Sequence, residues 1–215
     1  MCSSDLDAAL ALAPDHLSVY ALTLTLDPDA VGDDRLATPA GAVAWRERAA
    51  AAQDEERGAR ELEHLDGRLP ADGYHWYEIS NWARDGHESR HNTLYWERAS
   101  VAAVGPGAHA FDGVERAWNS ANLDAWEAAL RRGELPPGGV AALDDERAGA
   151  AESLVLELRM ARGVDRAGAC DEGFGDAITW GEAHGLLRPH PEDSSRVQLT
   201  MRGRLLSNEL FARIV

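Results

Sequence analysis

Apolar residues fall along the chain in short clusters with two different periods, and the clusters predict alternating strands and helices. Leu17 to Leu24 is a leucine-rich run with β-branched members after Pro14, Asp15 and His16, and reads as a buried strand. Asp27 to Ala37 is Asp-rich, holds Pro28 and Gly32, and reads as a loop. Thr38 and Pro39 make a helix start, with Thr as N-cap and Pro at the first helical position. That helix runs through Ala- and Glu-rich sequence to about Asp66, with Gly67 as its stop. Strands are predicted at Trp76 to Ile79 and at Val101 to Val104, and the order strand, long helix, strand suggests a βαβ unit from a parallel sheet.

Leu123 to Arg132 reads as a helix ended by Gly133. Leu135-Pro136-Pro137-Gly138-Gly139 breaks both periods and reads as a linker. Beyond it Asp144 or Asp145 caps a helix whose Ala151, Leu154, Val155 and Leu158 share one face, and Gly163 ends it. A strand at Val197 to Leu199 then runs into a helix capped by Thr200. That ending resembles a winged helix, but few basic residues gather on its last helix, so packing is a better reading than DNA contact.

Length and charge narrow the classes. A chain of 215 residues can bury a core in one large or two modest domains. A net charge of −16 disfavours nucleic acid, whose phosphates it repels. No apolar run reaches the length of a membrane span and no signal peptide is visible, so a cytoplasmic location is expected. Two cysteines, Cys2 and Cys170, make no disulfide framework.

The candidate chemistry is concentrated between Tyr74 and His109, where aromatic rings, imidazoles, a carboxamide and a Gly-Pro-Gly turn crowd together. Rings stack on flat faces and imidazole reaches metals or protons, so the span suits a flat, partly apolar ligand. Ordinary packing of a core strand is the competing reading. His87 and His91 stand four apart, a zinc-like spacing on a helix, but Asp85, Gly86 and Ser89 argue for a loop there. Gly105-Pro106-Gly107 follows the predicted strand, at the end where α/β folds bind ligands, and its backbone could form an N–H nest.

The order of three motifs carries a resemblance. Tyr77-Glu78-Ile79-Ser80-Asn81-Trp82-Ala83, then His91-Asn92 with Tyr95-Trp96, then Val104 to His109 resemble the radical-SAM haem-chaperone family (HemW-type), a relative of the oxygen-independent coproporphyrinogen III oxidases. The likeness extends to His16-Leu17-Ser18-Val19-Tyr20-Ala21-Leu22-Thr23, to Glu157 through Asp165, and to Leu199 through Gly203. It implies an α/β fold. Residues 1–135 would be the C-terminal part of a radical-SAM (β/α) partial barrel, and 140–215 a small, mainly helical, winged-helix-like domain.

The resemblance also implies haem binding for delivery to acceptor proteins, with S-adenosyl-L-methionine and a [4Fe–4S] cluster in full-length members. It makes His91 an axial ligand to haem iron, Asn92 its motif neighbour, and Tyr95 and Trp96 cover for a porphyrin face. Gly105, Gly107 and His109 would line the S-adenosyl-L-methionine or tetrapyrrole cavity, with Tyr20 facing it from a strand end. Arg159 could take a propionate, although covering the apolar flank of its helix is the commoner role.

Two departures limit the transfer. Thr25 with Asp27-Pro28-Asp29 stands where many relatives carry Glu before a Gly-Thr pair, and the family's CxxxCxxC motif is absent, leaving too few cysteines for a cluster. The chain therefore reads as the C-terminal portion of a longer protein. Met1 to Leu6 resembles a translated sequencing-adapter remnant, with a native polar cap on a helix from Leu6 to Ala13 as the alternative. Rival functions are a coproporphyrinogen III oxidase-type enzyme and an inactive gene fragment.

Overall fold

The computed structural model describes residues 3–20, 45, 49, 54–142 and 145–215. The predicted loop at 27–37, the Thr38 cap, Thr25, Cys2 and Asp144 lie outside them. The described residues divide into two compact units, one of 3–20, 55–98 and 145–215, the other centred on 99–142.

The first unit opens with helix α1 (Ser3–Ala11) and strand β1 (His16–Ser18). Leu17 is in a strand as expected, although β1 ends at Ser18. Helix α2 (Glu55–Arg68) passes through Gly67 without stopping. A 3-10 turn at Leu69–Asp72 follows it, and the chain reverses at Gly73, whose φ of 83° is left-handed. Gly67 fails as a stop because Leu69, fully buried, continues the apolar face one turn further.

Strands β2 (His75–Glu78) and β3 (Asn81–Ala83) form an antiparallel hairpin, and β1 pairs with the other edge of β3. Trp76 faces Trp82 and Glu78 faces Asn81, so Tyr77 is one residue too many for the ladder. It forms a β-bulge. Helix α3 (Arg90–Trp96) begins where the Ser89 hydroxyl accepts the Asn92 amide N–H.

The second unit is a three-stranded antiparallel sheet of β4 (His109–Phe111), β5 (Glu115–Asn119) and β6 (Gly138–Ala142), with helix α4 (Leu123–Arg131) capped by Asn122. Two expectations fail here. Val101 to Val104 is no strand; Val101 makes only a single bridge to Phe111. Gly138 and Gly139 form a strand instead of a linker because β6 lies hard against Trp118. A Cβ on either would sit 2.2 Å from the Trp118 carbonyl oxygen or indole, so only glycine lets the strands pair.

The C-terminal segment completes the first unit with α5 (Glu146–Leu158), β7 (Val164–Asp165), α6 (Arg166–Ala169), α7 (Gly175–Ala183), β8 (Leu187–Pro189), β9 (Arg196–Leu199), α8 (Met201–Leu205) and α9 (Ser207–Phe211). The Asp145 cap of α5 and the Thr200 cap of α8 form as expected. Gly163, at φ 61°, lets the chain turn against β9. All described strand pairs are antiparallel, so the predicted parallel pairing is not found among them.

Two apolar clusters hold this unit. Leu6, Leu65, Leu69, Tyr74 and Trp82 form one, and Leu154, Leu158, Phe174, Ile178, Leu199 and Leu210 lie in the other. Trp76 packs against both. Arg204 of α8 turns inward, its guanidinium 4.3 Å from the Trp76 ring centre and 2.5 Å from Asp66, which fits packing rather than DNA contact for that helix.

Candidate functional site

Helical period splits the His-Asn-x-x-Tyr-Trp motif into two pairs. His91 and Tyr95, four apart, are both exposed, with ring centres 4.9 Å apart at 85°, an edge-to-face contact. Asn92 and Trp96, also four apart, are half-buried and belong to the other side of α3. Tyr95, not Trp96, is the ring beside His91.

The bulge in β2 lets two consecutive residues hold the two ends of α3. The Tyr77 hydroxyl accepts the Ser89 amide N–H at 3.2 Å, interacts with Asn92, and lies 2.8 Å from His16 Nε2. The hydroxyl carries one donor and two acceptor sites, so the tautomer of His16 sets which of the two groups donates to the other. Burial lowers the His16 pKa and raises that of Tyr77.

At the other end stands Glu78, only 1% exposed. Burial pushes its pKa up to about 7, against smaller opposing effects from the Ser80 amide, the Arg159 charge and the Trp96 indole. None of these completes a hydrogen bond: both carboxylate oxygens, the Trp96 Nε1 and the Arg159 Nε are buried without a partner of good geometry. The Arg159 guanidinium lies 5.3 Å from the Trp96 ring centre and 5.1 Å from that of Phe211. It covers two aromatic rings, and its charge interacts with Glu78.

Beyond α3, Arg98 has a left-handed φ of 54° and donates to Glu152 of α5 at 2.9 Å, while Arg162 pairs with Glu97 at 2.5 Å. Both contacts tie the C-terminal end of α3 down. Tyr20 is 67% exposed, with its hydroxyl 3.4 Å from the Asn81 side-chain nitrogen. His87 lies in the loop before α3, 3.6 Å from Asp15.

Gly105, Gly107 and His109 belong to the second unit. Gly105 and Gly107 have φ of 97° and 70°, so the turn needs them. Its polar groups are used internally: the Gly107 N–H donates to Ser120, and the Gly105 carbonyl accepts from the Asn119 side chain. The Gly107 N–H is thereby already engaged within the unit. His109 is exposed and stacks loosely on Trp118, at 6.5 Å between ring centres.

Among known proteins, a haem chaperone HemW of Mycobacterium tuberculosis is 36% identical over 97% of this chain and 50% of its own length. By sequence, the chain is similar to the HemW proteins along nearly its whole length. The HemW of Synechocystis is 30% identical over 98% of the chain and 54% of its own length. The chain thus spans about half the length of the HemW proteins it matches. No family model matches it.

Among solved structures, coproporphyrinogen III oxidase (HemN) from Escherichia coli, a radical SAM enzyme, superposes with a TM-score of 0.61 at 17% identity. The match covers 97% of this chain and 50% of that one, and shows that the fold is the C-terminal portion of the HemN radical SAM fold. An iron–sulfur cluster of that class does not fit the residues present. The chain has two cysteines, and among the described residues no group of three His, Cys, Asp or Glu is placed to hold a metal ion. No helix among them is long and apolar enough to cross a membrane.

The sequence pointed to all four residues of the motif without separating its exposed pair from its inner pair, and gave Glu78 no role of its own. A partial signal existed, since Glu78 is the lone carboxylate in the otherwise aromatic, imidazole and apolar run Tyr74 to Ile79. The His16–Tyr77–Asn92 set left no such signal, because sixty-one residues separate its first two members.

Proposed function

We propose that this chain binds haem on α3, with His91 as an axial ligand to iron, and takes part in passing it to an acceptor protein; its HemW relatives are named haem chaperones. One observation carries this reading: α3 offers an exposed imidazole with an aromatic edge beside it, while the rest of the motif anchors the helix. An accessible neutral imidazole can coordinate iron, and Tyr95 with exposed Leu94 supplies apolar cover for a porphyrin face. Asn92 and Trp96 support this arrangement from the inner side. S-adenosyl-L-methionine and a [4Fe–4S] cluster belong, on this reading, to full-length members of the family, since this chain has too few cysteines for a cluster.

Haemin titration followed in the Soret region tests it. His91→Ala should shift the band and weaken affinity by about tenfold or more. His87→Ala should match wild type. A His91→Ala chain with wild-type spectrum and affinity would overturn the assignment, and the same titration of His109→Ala would then test the second unit's exposed imidazole.

A further inference from the structure

We propose that Glu78 is a positioning residue for α3: through Trp96 and Arg159 its carboxylate fixes the C-terminal end of that helix and so the presentation of His91 and Tyr95. The inference rests on the haem-binding reading of α3 for its functional consequence, but its structural basis is independent. Glu78 is almost fully buried, and its two oxygens, the Trp96 indole nitrogen and the Arg159 Nε all lack partners of good geometry. Buried polar atoms in native proteins are nearly always satisfied. Here the donors and the acceptor that lack partners act on one another: the Trp96 indole and the Arg159 charge both act on the Glu78 carboxylate.

The chemistry of the set is complementary. An ionised Glu78 attracts the indole N–H and the guanidinium together; a neutral one holds both weakly. The charged and titratable groups acting on this site are Arg159, just past α5, and Tyr77 beside it on β2, with Tyr20 acting on Tyr77 in turn. Helix α3 and strand β3 present neutral Trp96 and Asn81. Burial leaves the carboxylate titrating at about 7, so both forms are populated near neutrality. Tyr77 holds the N-terminal end of α3 through a hydroxyl that stays protonated there, so the adjustable hold is at Trp96.

The test uses the haem-free chain first. The Trp96 indole N–H resonance, assigned by its loss in Trp96→Phe, should shift through a midpoint near pH 7 and become pH-independent in Glu78→Gln. A Trp96 indole that does not titrate would overturn the inference, whatever the haem result. Haemin titrations from pH 5.5 to 8.5 then read the consequence. Glu78→Gln should lose the part of the pH dependence centred near 7 and bind several-fold more weakly above it, while keeping the wild-type Soret position because His91 is intact. Identical affinity profiles in wild type and Glu78→Gln would remove the positioning role. A titrating indole together with haem binding indifferent to His91→Ala would instead sink the haem reading and leave the Glu78–Trp96 coupling standing.

Discussion

Glu78 is held in a place where its charge is unwelcome. Burial raises its pKa from 4.5 to about 7, so the folded chain keeps a proton that the unfolded chain has released. The stability this gives is fully present below pH 4.5 and is lost as pH rises through 7. Glu78→Gln removes the titration. Its stability relative to wild type should therefore improve between pH 5 and 8, by about 3 kcal/mol at most. Urea denaturation at both pH values measures this, and a constant difference would contradict the burial. Gly163 shows the opposite sensitivity. At φ 61°, and with an added Cβ 2.1 Å from the Val197 carbonyl oxygen, Gly163→Ala should cost about 2 kcal/mol or more in the same assay.

Helices were more legible than strands at the scale of elements, for local reasons. The Asp145 and Thr200 caps, the helix from Leu123 and the buried face of α5 all follow from residues within one or two turns. Asp145→Ala should accordingly cost about 1 kcal/mol, read from thermal or urea denaturation. Pairing of strands is not local. Val101 to Val104 has strand-forming residues but only one bridge, and Gly138-Gly139 looks like a break until Trp118 is seen against it. The candidate site was legible to the same degree. His91 and Tyr95 were visible as residues, but only the helical period of α3 shows that Trp96 belongs to the buried side and Tyr95 to the exposed one.

For the molecule as a whole, the first unit gathers its parts from distant stretches of sequence. Trp76 packs against both apolar clusters, and Arg204 near the end of the chain is caged by Trp76, Trp82 and Asp66. Trp76→Ala should destabilise by about 3–5 kcal/mol. Fluorescence and far-ultraviolet circular dichroism should report one shifted transition for the unit; two separate transitions would show that the clusters unfold independently. A chain beginning at Val140 would lack Trp76 and Ile79 from its core and all of the Arg204 cage. Proline- and glycine-rich sequence is therefore a poor guide to where this chain can be cut.

The extra residue at Tyr77 has a consequence for ancestry. A regular hairpin sends neighbouring side chains to opposite faces, so a helix lying on one face is gripped by alternate residues only. One inserted codon in β2 is enough to bring two adjacent side chains to opposite ends of α3 while the rest of the ladder keeps its partners. Such a step is small, heritable and hard to reverse once both grips are in use. Deleting Tyr77 would restore an even strand and free the N-terminal end of the helix that carries His91, with the Arg98 and Arg162 contacts left at its other end.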